Sequence, residues 1–161
     1  MTISETASTW AKTLLNDTDA HADLYAADED FSIEARMVDD HLTDTVTDRA
    51  DLAAQLAFWT NKDESNGLGV HTLTVTETFA GNGHEMIHWD YEVTGLDTFH
   101  GLPVNGQTLS SKGSTFLQFD PNGKIVLEST VLNQIPIYQQ LGVALITPHY
   151  WEEGFDPASL G

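Results

Sequence analysis

From Gly69 to Leu132 the chain largely keeps a two-residue hydrophobic period, punctuated by Gly81-Asn82-Gly83 and Asp120-Pro121-Asn122-Gly123. A period of two places successive side chains on opposite faces of a strand, and these Gly/Asn/Pro segments supply the left-handed or tight-turn conformations of hairpins. The spacing predicts strands near 70–80, 84–94, 107–119 and 124–133, joined as an antiparallel meander. Upstream, Trp10, Leu14 and Leu15, then Ala20, Leu24 and Ala27, fall at helical spacing and predict two short helices over 4–15 and 19–27. Phe31 to Met37 alternates as a strand. The polar stretch 39–51 reads as a loop and a helix start, where Thr47 or Asp48 can cap a helix that carries Leu52, Leu56 and Trp59 on one face. Helix, helix, strand, helix and then a meander predict an α+β fold with helices on one face of a curved sheet, a cone with a pocket.

A length of 161 residues fits a single domain over 1–161, and 40% hydrophobic with 9% aromatic residues supports a packed core. Against 25 Asp and Glu stand 6 Lys and Arg, a formal charge of -19. Such a surface repels nucleic-acid phosphates and anionic headgroups, which argues against nucleic-acid and membrane-surface partners. No apolar run approaches the roughly 20 residues of a membrane span, and Met1 to Glu5 lacks the basic and apolar regions of a signal peptide, so a cytoplasmic location is expected. The acids are spread from Asp17 to Glu153, a pattern that also suits a salty cytoplasm. The absence of cysteine excludes disulfides, thiolate nucleophiles and Cys-type metal sites, leaving carboxylates, histidines and hydroxyls for chemistry.

In Met86 to Val93, alternation puts His88, Asp90 and Glu92 on one face and Trp89, Tyr91 and Val93 on the other. Two readings stay open. The polar face lines the cone, where an imidazole and a carboxylate two residues apart tune each other's proton affinity for acid-base work; or it lies in water, with the aromatic face in the core. His100 sits in the loop Phe99 to Pro103, where a ligand or solvent can meet it. Trp59 and Tyr25 read as core or as pocket wall. His71 and His84 show no ligand spacing with a carboxylate, and no metal site is expected. The aromatic tail Ile146 to Phe155 reads as packed on its own sheet, on a neighbouring subunit or over the pocket mouth.

Three segments carry a resemblance: Gly101-Leu102-Pro103-Val104-Asn105-Gly106-Gln107, Phe119-Asp120-Pro121-Asn122-Gly123-Lys124-Ile125, and Asn133 through Tyr138-Gln139-Gln140-Leu141-Gly142. In that order and spacing they resemble the SnoaL-like polyketide cyclase branch of the NTF2-like superfamily, densely over 88–142 and in element order over 4–142. The resemblance implies an NTF2-like cone, a curved mixed β-sheet with about three helices on its concave side, working without a cofactor and forming a homodimer or higher homo-oligomer. The aspartate that opens the family's last motif falls on Asn133, which hydrogen-bonds but does not titrate, and the tryptophan four residues earlier is Ser129. In epoxide-hydrolase relatives an Arg and an Asp at i and i+2 match His88 and Asp90, while their second carboxylate falls near Thr130. The implied function is a small enzyme moving protons on an apolar or cyclic carbonyl compound of polyketide type, as a cyclase or isomerase. Asp90 is then base or acid, His88 its electrostatic partner and Asn133 a hydrogen-bond donor, with Trp59, Glu92, His100 and Tyr25 against the ligand. The alternatives are a non-catalytic small-molecule-binding or accessory protein and an epoxide-hydrolase-like relative.

Overall fold

A computed structural model describes residues 3–36 and 42–144, together with Gly154 and Asp156. The aromatic tail, apart from Gly154, and the segment 37–41 lie outside the described residues. Among the described residues four helices, α1 (Glu5–Asn16), α2 (Thr18–Ala22), α3 (Arg49–Trp59) and α4 (Ile135–Gln140), accompany a six-stranded sheet. The sheet runs β2 (Leu42–Val46), β1 (Ser32–Arg36), β8 (Ile125–Leu132), β7 (Leu109–Phe119), β4 (His84–Leu96), β3 (Leu68–Gly81). It is curved and mixed, because β1 runs parallel to β8 while every other pairing is antiparallel. A two-strand ribbon, β5 (Thr98–Phe99) and β6 (Leu102–Pro103), forms beside it. Among the described residues no helix is long and apolar enough to cross a membrane.

Local chemistry sets the element ends. Ser4, Asp17 and Asp48 cap α1, α2 and α3 through side-chain oxygens that accept from backbone N–H groups two or three residues on. Asn82 and Gly83, with φ of 53° and 76°, supply the two consecutive left-handed residues that close the β3–β4 hairpin without splaying its strands. The helical face of Ala7, Trp10, Ala11 and Leu14 in α1, with Leu52 and Leu56 in α3, covers the sheet face that carries Leu73, Ile87, Trp89, Leu117 and Ile125.

Two expectations need correction. The acidic stretch 39–51 is not only loop and helix start, because β2 forms within it and pairs with β1. An edge strand is bonded on one side only, so it tolerates the Asp-rich composition that hid it. The second helix ends at Ala22 rather than near 27. Arg49 stops it by donating to the carbonyls of Ala22, Tyr25 and Ala26 at 3.0, 3.3 and 3.2 Å, and Tyr25 then bridges in parallel to Ile125 at the sheet. That short helix is what carries Tyr25 from a helix face to the interior.

Gly113 of β7 stands directly opposite Trp89 of β4, and a Cβ there would lie 2.1 Å from the Trp89 ring. Trp89 is fully buried and its indole N–H donates to Thr115 Oγ1 at 3.0 Å, so the ring has no free direction to retreat. Gly113→Ala should therefore lower stability by about 1–3 kcal/mol, the usual cost of overpacking, in urea unfolding. An unchanged midpoint would show that the ring moves freely.

Candidate functional site

The interior holds an ionisable group that the two-residue period of the sequence places on the wrong side. Glu128 of β8 lies opposite Leu117 of β7 and Ile33 of β1, all buried and all on the helix-covered face. Three neutral donors converge on its carboxyl. Trp10 Nε1–H and Tyr25 O–H donate to Oε2 at 2.8 and 2.6 Å, and Thr130 O–H donates to Oε1 at 3.1 Å. Among the described residues no Lys or Arg pairs with it. Burial of the whole group dominates over these hydrogen bonds and pushes the carboxyl pKa up.

The donors are themselves wired. His21 Nε2 lies 3.2 Å from Tyr25 Oη and His21 Nδ1 lies 2.9 Å from Thr13 Oγ1. Burial drives the His21 pKa down to about 4, so the ring is neutral, and its Nε2 meets the Tyr25 hydroxyl while Tyr25 donates to Glu128. Burial and the adjacent Glu128 carboxylate hold the Tyr25 hydroxyl well above the ordinary phenol value. On the other flank Trp89 N–H donates to Thr115, and Thr115 Oγ1 lies 2.9 Å from Thr130 Oγ1, so Thr130 accepts there and donates onward to Glu128. The chain of donors ends at one acceptor. Of these, Trp10, His21, Tyr25, Trp89, Glu128 and Thr130 wall a cavity of about 100 Å³ whose other lining comes from Leu14, Ile33, Leu52, Leu56, Leu73, Gln55 and Trp59. Gln55 and Trp59 are only half-buried and form its rim.

The candidates read from the sequence divide between this cavity and other places. Tyr25 and Trp59 line it together. His88, Asp90 and Glu92 do not; the aromatic face of β4 is the inner one, and the three polar residues occupy the outer face. The structure sets these three apart from the inner cavity, because Trp89 and Tyr91 gain far more from burial than a charged face would. Asp90 is half-exposed, 3.6 Å from Lys112 Nζ, and with Glu92, Thr72, Thr74 and Ser110 it lines an open outer depression of about 280 Å³. That depression is larger than the inner cavity, yet its groups stay solvated, so we place the candidate chemistry at the desolvated carboxyl. His88 meets Phe79 edge-on at 5.9 Å. Asn133 is exposed, with Oδ1 accepting from Ile135 N–H at 3.2 Å and its carbonyl accepting from Ser111 of β7, which steers the chain into α4. His100 is exposed at φ 49°, stacked on Phe99 at 4.4 Å and 3.3 Å from Tyr138 Oη. Neither lines the cavity.

His71 forms a second buried group behind Trp59. Its Nδ1 lies 2.9 Å from Tyr91 Oη, its Nε2 has no partner, and its ring packs on Phe58 and Trp59 at 4.2 and 5.0 Å. Burial drives its pKa down to about 4 and raises that of the Tyr91 hydroxyl. Among the described residues no group of three or more His, Cys, Asp or Glu is placed to hold a metal ion.

These shifts have opposite consequences in acid. His21 and His71, lowered from 6.5 to about 4, bind protons more readily unfolded, so their contribution is full above 6.5 and is lost as pH falls toward 4. The loss is at most about 3 kcal/mol each at 1.36 kcal/mol per pH unit. Glu128, raised above 4.5, takes its proton earlier when folded, so acidification through that window favours the fold. His71→Gln should flatten the fall of the urea midpoint between pH 6.5 and 4, and Glu128→Gln should steepen it. An unchanged slope in His71→Gln would contradict a buried neutral imidazole.

No family model matches the chain, and no curated protein does. Solved structures do match it. A ketosteroid isomerase-like protein from Catenulispora acidiphila, in complex with trimethylamine, is 16% identical over 89% of this chain and 96% of its own, with a TM-score of 0.64. IdmH from Streptomyces antibioticus, named as a polyketide cyclase, is 17% identical over 86% of this chain and 97% of its own, at 0.66. A protein of Shewanella denitrificans named as a SnoaL-like polyketide cyclase is 17% identical over 84% and 93%, at 0.64. The helix-covered curved sheet described above is the ketosteroid isomerase-like fold, which this chain shares with a protein named as a SnoaL-like polyketide cyclase.

Proposed function

We propose that the inner cavity is a small-molecule site and that Glu128 acts in it as a cofactor-independent general base, in proton-transfer chemistry of the cyclase or isomerase type. One observation carries the reading: a fully buried carboxyl with a raised pKa, held by three neutral donors, in the wall of an aromatic cavity. A carboxylate made more basic by burial is what proton abstraction next to a carbonyl needs. Oε1 accepts one hydrogen bond against two at Oε2, so Oε1 keeps the lone pair that takes the substrate proton. As the C–H bond breaks and the carboxylate becomes a neutral acid, the Tyr25 hydroxyl loses its anionic acceptor and becomes available to a developing enolate oxygen. His21 Nε2, 3.2 Å from that hydroxyl, packs against it. The cavity, at about 100 Å³, is below the usual range for drug-sized ligands, so a compact apolar or cyclic carbonyl compound, or the compact end of a larger one, is the substrate. The carbonyl chemistry read from the sequence thus moves from Asp90 to Glu128.

The trimethylamine held by the Catenulispora protein favours a second reading, binding of a small molecule without turnover. A homodimer or higher homo-oligomer belongs to both readings. Light scattering in moderate salt should return a mass well above the 17.7 kDa of one chain, and a monomer at micromolar concentration would contradict assembly.

Deuterium exchange separates enzyme from binder. Cyclopentanone in D2O, followed by proton nuclear magnetic resonance, should lose its α-protons faster with the protein present, at a rate rising with pH through the raised Glu128 pKa. Glu128→Gln should lower the accelerated rate by roughly 10²–10⁴, the range for a positioned base. Loss with Asp90→Asn instead, or equal rates in Glu128→Gln and wild type, would overturn the assignment.

A further inference from the structure

The wall around Glu128 has a chemical bias that fits one kind of functional group. Most of its inner donors are engaged: Trp10, Tyr25 and Thr130 give their protons to Glu128, and Trp89 gives its own to Thr115, while Trp59 and Gln55 stand at the rim. The carboxylate is left with acceptor capacity and, among the described residues, without a cationic partner. Trp10, Tyr25, Trp59 and Trp89 all line the same space. From this arrangement we infer that the cavity recognises a compact alkylated ammonium group on an otherwise apolar molecule.

Alternative cations fit less well. A primary ammonium brings three donors and needs as many acceptors, whereas the deep wall offers it the Glu128 carboxylate, with Gln55 only at the rim. A metal ion needs several oxygen ligands, and no such cluster stands among the described residues. An alkylated ammonium has no donors or at most one, presents an apolar surface to the leucines of the wall, and is attracted by aromatic rings and by a carboxylate. Its charge also compensates the desolvated anion, which otherwise has only neutral donors to stabilise it. The net charge of -19 raises the concentration of cations near the surface from which they enter between Trp59 and Gln55.

Binding then depends on protonation of Glu128. The groups that face it are His21 and Tyr25 from α2 and the segment after it; Trp10 of α1, Leu117 of β7 and Ile33 of β1 do not titrate. Glu85, buried on β4 opposite Leu117, is engaged by Ser4 and lies two strands away. Burial keeps His21 neutral down to about pH 4, so Glu128 is the group that switches above that point. Affinity for the cation falls as acid neutralises it.

The inference rests on the cavity being the ligand site and not on turnover. Tetramethylammonium chloride is titrated into the protein by calorimetry at constant ionic strength, with sodium chloride as blank and tert-butanol as the uncharged isostere. Expected are saturable binding of tetramethylammonium, at least tenfold weaker binding of tert-butanol, a tenfold or greater loss of cation affinity on acidification through the raised Glu128 pKa, and no binding to Glu128→Gln. Should Glu128→Gln fail to fold, the pH dependence in wild type and the loss of affinity in Trp59→Leu carry the same test. Equal binding of tert-butanol, pH-independent binding, or no heat above the sodium blank overturns the inference. Cyclopentanone exchange lost in Glu128→Gln without tetramethylammonium binding overturns the cation and keeps the base; binding without exchange does the reverse.

Discussion

A single buried carboxyl organises the interior. Glu128 receives hydrogen bonds from α1 through Trp10, from the segment after α2 through Tyr25, and from its own strand through Thr130. α1 and the segment after α2 are thereby tied to one atom of β8, at the face the helices must cover for the sheet to have a core. An unmet carboxyl at that depth would cost several kcal/mol, and removing any one donor would leave part of that cost exposed. The network is satisfied in one arrangement, so it specifies where the helices sit as well as holding them.

Around that point the remaining devices serve the same end. Ser4 caps α1 and also donates to the buried Glu85, which pins the start of the helix, while Thr13 near its end engages His21. Arg49 collects three carbonyls where α2 stops, and that stop is what frees Tyr25 to reach inward. Gly113 makes room for Trp89, whose ring would otherwise meet a Cβ at that position of β7. Each of these sets the shape of the cavity as much as the stability of the fold. The polar face of β4 takes no part in it and sits in water or against Lys112.

How far the sequence revealed this differs by element. The order of helices and strands, the hairpin at Asn82 and the cap at Asp48 were legible because period and turn chemistry are local. β2 was not, since an edge strand of Leu-Thr-Asp-Thr-Val composition carries no clear hydrophobic period. For β4 the alternation was read correctly, but the choice between its two faces depends on which face the helices cover, a tertiary fact. Glu128 was hidden by a shift in register: Gln118 pairs with Leu127 and Phe119 with Ile125, so Val126 is an extra residue. Strict alternation from the buried Ile125 would send Glu128 outward; the bulge turns it inward. The available signal was an acid flanked by Tyr- and Trp-bearing helices with Thr130 two residues on, which becomes visible only once the bulge is known.

The account stands on the state of one proton. Selective carbon-13 labelling of glutamate side chains, with Glu128→Gln used to assign the resonance, reads the titration of this carboxyl directly in the folded protein. The account predicts a midpoint for Glu128 displaced upward from 4.5 and separated from the bulk of the exposed glutamates. A midpoint at or below 4.5 would show a solvated or ion-paired group, and would contradict both the desolvated base and the cavity built around it.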